Sequence, residues 1–198
     1  MPSTSAVRPP RAAAAALRRL VPLIAAAAAA ATTFGAAAAD QIFLKLDGIR
    51  GTATDRNHRD EIEVTSYAQS FRNTVNFGLG SGGGSSGRVR CGDVTLLKNI
   101  DNATPDLIMH VTTGRHIAEG VITFQRSGPQ SLDYYIVRLR GVVVDAVEQI
   151  DPPGDGTLTE KISLKARQFQ FTYVPIDARG VAGTPVTFGW DCVSNTRF

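Results

Sequence analysis

Histidine is scarce in this 198-residue chain: it has only His58, His110 and His116, and no two are spaced to set a pair of imidazoles on one helical face. The separation of six between His110 and His116 fails that test, so the sequence shows no recognisable metal centre and implies no metal or cofactor. Asp55, His58, Asp60 and Glu61 do cluster, but in a polar turn between two strand-like runs. A solvated hairpin is the expectation there, with neither a catalytic nor a metal role. Cysteine is equally sparse, with two residues, and tryptophan occurs once. A domain of this length buries roughly two-thirds of its unfolded surface, so it needs neither a metal nor a disulfide in order to fold.

A surplus of charge of one sign is also missing once the N-terminus is set aside. Arg8, Arg11, Arg18 and Arg19 form an acid-free leader followed by a short apolar run from Leu20 to Ala31, the layout of a secretory signal peptide. Residues 1–39 are therefore expected to be a signal peptide, or a non-native leader if the start is set too far upstream. The expected cut lies between Ala39 and Asp40, with Ala37 at the other small position. The alanine tract is too weakly hydrophobic for a membrane helix of about 20 residues, so no stable membrane insertion of the mature chain is expected. The expected location is secreted or extracellular, and periplasmic if the leader is a true signal. Taking those four arginines from 21 basic residues leaves 21 − 4 = 17 against 18 acids, so the +3 of the whole chain becomes 17 − 18 = −1. A mature chain without a basic surplus lacks the electrostatic footprint of a nucleic-acid binder.

What the chain has is alternation. Ile42, Leu44 and Leu46 fall on one face of a strand, and Phe43, Lys45 and Asp47 on the other. The same period of two recurs in Ile62 and Val64, in Tyr135, Val137 and Leu139, and in Val186, Phe188, Trp190 and Cys192. Short strands spaced this way predict a β-sandwich or barrel, one domain over residues 40–198. Ile162, Leu164 and Ala166 are out of phase with Phe169, Phe171 and Tyr173, which predicts a β-bulge near Arg167 and Gln168. Gly141 is read as a bend. One helix interrupts the strands, with Thr104 as N-cap, Pro105 in the first turn and Gly114 as terminator. Leu107, Ile108 and Val111 form its predicted apolar stripe, which lays it on the sheet as a cover.

Two loops stand out, GLGSGGGSSG from Gly78 to Gly87 and DPPGDG from Asp151 to Gly156. The first formally contains GxGxxG at Gly78, Gly80 and Gly83, but a dinucleotide fingerprint needs a βαβ unit and here strands lie on both sides. It also contains GxSxG at Gly83, Ser85 and Gly87, without the strand-to-helix turn or the supporting acid and histidine of a nucleophile elbow. A flexible structural segment is the reading for both patterns, and no enzyme activity is expected. Parity puts Cys91 beside Val89, and Cys192 beside Phe188 and Trp190, so both should point inward. They are compatible with a disulfide in an oxidising compartment or with two buried thiols, and the sequence leaves both open.

The run IFLKLDGIRG from Ile42 to Gly51, followed by Asp55, His58 and DEIEV from Asp60 to Val64, resembles the opening of the Hcp family. That family supplies the subunit whose rings stack into the inner tube of the bacterial type VI secretion system. The resemblance continues through Ser81–Gly87, Asp93–Lys98, Thr104–Gly114, Arg115, His116 and Tyr134–Leu139, and ends with FGWD at Phe188–Asp191. It implies a mainly β fold, a two-sheet antiparallel β-barrel with one short flanking helix, assembled as hexameric rings with no active site. It also implies spike and sheath proteins as partners and effector proteins carried in the lumen. The family's ring-stacking loop maps onto the segment from Asn73 to Arg88, with Asn73, Phe77, Gly78, Gly80, Gly83, Gly87 and Arg88 as its contact residues. Two features depart from the pattern: the leader itself, and YAQSFRNTVNF at Tyr67–Phe77, where the family carries a tryptophan-rich segment. An exported β-barrel binding protein of the same fold, acting outside the tube, is the alternative.

Overall fold

The computed structural model describes residues 40–74, 87–128, 131–151, 156–177 and 179–198. The leader with Ala39, and Phe77, Gly78, Gly80, Gly83 and Ser85 of the glycine-rich segment, lie outside those residues. In chain order the elements are β1 (Gln41–Leu46), β2 (Ile62–Val64), β3 (Ser66–Ala68), β4 (Phe71–Asn73), β5 (Val89–Cys91) and β6 (Val94–Asn99). Then come α1 (Thr104–Thr113), β7 (His116–Arg126), β8 (Leu132–Ile150), β9 (Thr159–Tyr173), β10 (Val186–Asp191) and β11 (Thr196–Arg197). The class is mainly β with antiparallel pairing throughout.

The period of two decides what is buried. In β6, Val94, Leu96 and Lys98 turn inward, and in β9 Glu160, Ile162 and Leu164 do the same across the ladder from them. Leu44, Leu46, Ile62, Ile122, Val137, Leu139, Val144 and Phe169 complete the core. Each such side chain contributes about 1.5–3 kcal/mol on burial, so a core of this size dominates the folding energy.

The described strands form one nine-stranded sheet in the order β11-β10-β9-β8-β7-β1-β2, with β6 branching from β9 and β3 from β6, and a separate β4–β5 ribbon. This corrects the two-sheet closed barrel, because no ladder joins β2 to β6 among the described residues. The chain steps instead at Thr65, whose amide and hydroxyl both donate to the Leu97 carbonyl at 2.7 and 3.0 Å, so that β2 serves β1 and β3 serves β6.

No register shift marks the phase break in β9, where a bulge is predicted at Arg167 and Gln168. There β9 changes lateral partner from β6 to β10, and the facing strand β8 changes its own buried phase at Gly141, from Val137 and Leu139 to Val142 and Val144. The ladder irregularity lies in the facing strand, between Val144 and Ala146. Nearby, Gly141 takes φ 63°, with the Cβ of Arg167 only 3.2 Å from where a side chain would start. At the other end of the sheet, Gly51 passes so close to the Glu61 carbonyl that a Cβ would lie 2.2 Å from its oxygen. Only glycine permits that backbone approach, and it fixes the loop from Asp47 to Glu61 against β2.

In α1 the first helical residue is Thr104 itself, and the N-cap position is Ala103. Thr104 was expected to cap, but its hydroxyl is turned inward to Glu160, and the Asp101 carboxylate accepts the Ala103 amide instead. The buried stripe is Thr104, Leu107 and His110, with Val111 half-buried, whereas Ile108 is 39% exposed. α1 lies against β8, and Gly114 ends it in the left-handed conformation.

Candidate functional site

The segment predicted to contact a neighbouring ring leaves and rejoins the fold through the β4–β5 ribbon. Phe71, Arg72 and Asn73 pair with Cys91, Arg90 and Val89, and Thr74 donates its amide and hydroxyl to the Arg88 carbonyl at 3.2 and 3.0 Å. Asn73 and Arg88 are exposed and Gly87 is half-buried. The ribbon is fastened to the C-terminal turn that follows β10, an anchor of which the sequence offers only the possible Cys91–Cys192 disulfide. Cys91 and Cys192 form a disulfide with a Cα–Cα distance of 6.2 Å. The Val89 amide donates to Asn195 Oδ1 at 2.9 Å, and the Arg88 guanidinium donates to the Val193 carbonyl at 3.3 Å. Asp191 holds that turn in shape: Oδ1 accepts the amides of Val193 and Ser194, both at 2.9 Å, and Oδ2 accepts the Gln168 amide at 2.8 Å. The Ser194 amide, then Gln168 and the Val193 amide, hold its carboxyl well below the usual range against the opposing effect of burial. The FGWD run therefore ends in a turn-forming acid. Phe188, expected inward with Trp190, is 45% exposed, stacked on Trp190 with the Arg197 guanidinium over its ring.

The second feature corrects the reading of Asp55–Glu61 as a solvated hairpin. His58 is buried, stacked on Phe43 with ring centroids 4.4 Å apart, its Nδ1 3.0 Å from Glu61 Oε2 and its Nε2 3.1 Å from Asp133 Oδ1. Two carboxylates on the two ring nitrogens suit the imidazolium, which donates from both. Burial pulls the His58 pKa down, but the hydrogen bond and charge of Asp133, reinforced by Glu61, outweigh it and raise it above the ordinary 6.5. The arrangement ties the Asp47–Glu61 loop to β1 and to the start of β8. The sign follows from that direction. The stabilisation is complete below the unfolded value of 6.5 and is lost as pH rises through the raised folded value. His58→Leu should accordingly cost about 1.5–3 kcal/mol at pH 6, the range of a charge-assisted hydrogen bond, and less at pH 8.5. Urea titrations at the two pH values check it; an equal loss at both would sink the charged-histidine reading.

The third feature sits where β6 meets α1. Lys98 and Glu160 are fully buried and stand opposite one another across the β6–β9 ladder. The Lys98 ammonium donates to Glu160 Oε1 at 2.5 Å, to the Asn99 carbonyl at 2.8 Å and to Thr104 Oγ1 at 3.3 Å, with Asp101 Oδ1 at 2.7 Å. Thr104 adds its own hydroxyl to Glu160 Oε1 at 2.8 Å, while Glu160 Oε2 has no hydrogen-bond partner among the described residues. This network fixes the start of the helix and does no visible chemistry.

The other sequence candidates are dispersed. His110 is turned back on its own helix, Nδ1 2.8 Å from the Asp106 carbonyl, and His116 is exposed at the start of β7. Among the described residues no three His, Cys, Asp or Glu side chains converge as a metal-binding set, and no helix is long and apolar enough to cross a membrane. Asp40, at the predicted cut, is exposed and accepts the Tyr134 hydroxyl at 2.9 Å.

Comparison with known proteins gives one answer. The family model described as type VI secretion system effector, Hcp, matches residues 43–173. Protein hcp1 of Pseudomonas aeruginosa is 31% identical over 161 residues, covering 80% of this chain and 99% of that protein. Among solved structures, Hcp1 from Salmonella typhimurium is 25% identical with a TM-score of 0.64, covering 81% of this chain and 99% of that one. A type six secretion system protein is alike in fold, with a TM-score of 0.77 at 23% identity over 81% of this chain and 100% of that one.

Proposed function

We propose, from the fact that this chain belongs to the Hcp family of type VI secretion system effectors, that it is a structural subunit of that system's inner tube, built as hexameric rings. The observation that carries this reading is the relationship to Protein hcp1, which spans 99% of that protein's length. The geometry supports it at two places. Among the described residues the outer edge of β10 pairs only with β11 at Trp190 and Asp191 and with the Phe198 amide at Gly189, leaving Val186 and Phe188, 65% and 45% exposed, at an edge without a ladder partner. Such an edge is a template for pairing with a second copy. The anchored β4–β5 ribbon carries both ends of the segment from Asn73 to Arg88, and Asn73 and Arg88 themselves are exposed.

In this reading the lumen carries effector proteins, and spike and sheath proteins are the further partners. The role is architectural, without cofactor or catalysis. Size-exclusion chromatography with light scattering tests it, and a mass six times that of one chain is the expected result. A monomer at high concentration would overturn ring formation.

A further inference from the structure

The β4–β5 ribbon has no ladder to the rest of the described sheet. An isolated two-stranded ribbon is marginal in water. This one also sets Arg72 directly opposite Arg90, both exposed, a like-charged cross-strand pair that weakens it further. Its attachments are few. The Phe71 ring stands edge-on to Phe169 and Phe171 at 5.4 and 5.5 Å, whereas the bond from the Gly92 amide to the Ser70 carbonyl at 2.7 Å only extends the ribbon's own ladder. The remaining three attachments all reach one place, the turn after β10: Arg88 to the Val193 carbonyl, Val89 to Asn195, and the Cys91–Cys192 disulfide. The two hydrogen bonds are partly open to solvent and compete with water. The disulfide alone is covalent, and Cys192 lies between the residues that accept the two bonds and Asp191, which shapes the turn. It therefore sets the spacing at which both are made.

We propose that Cys91 and Cys192 form an oxidation site that governs the ribbon: the oxidised chain holds it ready to contact a neighbouring ring, and the reduced chain folds its main sheet but leaves the ribbon loose. In the step, the two thiols give up two protons and two electrons to an external disulfide, which departs as a dithiol while the Cys91–Cys192 bond forms. The consequence for ring contact rests on the tube-subunit reading; the effect on the ribbon does not.

The test compares the purified full chain, oxidised and after dithiothreitol, by hydrogen exchange and by sedimentation. On reduction the amides of Phe71–Asn73 and Val89–Cys91 should exchange roughly ten-fold faster through an opening insensitive to low urea, as expected for local opening, while those of β7, β8 and β9 still exchange only by urea-sensitive global unfolding. Rings should persist while their end-to-end association weakens. Cys91→Ser should reproduce the contrast without reductant. Unchanged exchange in the ribbon would overturn the proposal, and so would ribbon amides that open only together with the whole sheet, since the bond would then staple the entire fold. A chain monomeric in both redox states would overturn the ring reading alone, because ribbon exchange is read equally well on a monomer.

Discussion

Lys98→Met should lower folding stability by about 3–5 kcal/mol, the cost of leaving a buried charge without its partner. Glu160 is fully buried, its Oε1 is held by Lys98 and the Thr104 hydroxyl, and its Oε2 has no hydrogen-bond partner among the described residues. Without the ammonium, one hydroxyl is left facing a carboxylate that cannot reach water. Methionine keeps the length of the lysine stem, so lost packing is not the cause. The double variant Lys98→Met, Glu160→Leu removes both charges and should regain most of the loss, because a buried pair often does no better than apolar residues of like volume. Urea unfolding followed through Trp190, the chain's only tryptophan, measures both variants. A double variant as unstable as the single one would show that the cost lies in packing and not in the orphaned carboxylate.

The same pair shows where sequence reading stops. Parity alone puts Lys98 on the inward phase with Val94 and Leu96, but its acceptor is 62 residues away and comes opposite it only through the β6–β9 register. His58 is a similar case. The turn around it reads as polar and solvated because Asp133, which satisfies Nε2 from 75 residues away, belongs to a different strand. Alternation fixes which strand faces are apolar, and it located β1, β2, β8 and β9 correctly, since a period of two survives any tertiary context that buries one side. It does not say how strands partner. The closed barrel failed at Thr65, where one run divides between two neighbours, and the bulge failed where β9 changes partner. Local signals did well where local physics decides, as at Gly114 and Gly141 with φ of 65° and 63°. They failed at Thr104, whose hydroxyl is worth more to a buried carboxylate than to the helix end.

The candidate site divides along the same line. The residues that carry the family resemblance, IFLKLDGIRG and FGWD, are contiguous and were legible. The anchor of the ribbon joins Arg88, Val89 and Cys91 to Cys192, Val193 and Asn195, some hundred residues apart by the 101-residue separation of the cysteines. Composition and alternation show an even number of cysteines, an inward direction for both and a disulfide as one of two open readings. Whether their strands were neighbours depended on the chain returning through β10 to the second half of β9, which packs its Phe169 and Phe171 against Phe71.

The replacement of both cysteines, Cys91→Ser with Cys192→Ser, should cost about 2–5 kcal/mol. The chain-entropy argument acts on the unfolded state: a cross-link spanning 101 residues removes configurations that only the unfolded chain has. For so long a loop its upper value is about 4.7 kcal/mol. Two features of this fold reduce what is realised. The fastened ribbon is held by few other contacts, so part of the loss is taken as local loosening before the sheet unfolds. The unfolded chain also retains some compactness, which makes the loop less costly to close than an ideal coil. For a domain of this size the result is a fall in Tm on the order of 10 °C, at a few degrees per kcal/mol. The decisive comparison is between the double serine variant and the oxidised wild type in the same urea series. The midpoint should shift down, and the slope should rise because an uncrosslinked chain exposes more surface on unfolding. An unchanged slope with a loss below about 1 kcal/mol would mean that the bond does not constrain the unfolded chain, contrary to the loop-closure account.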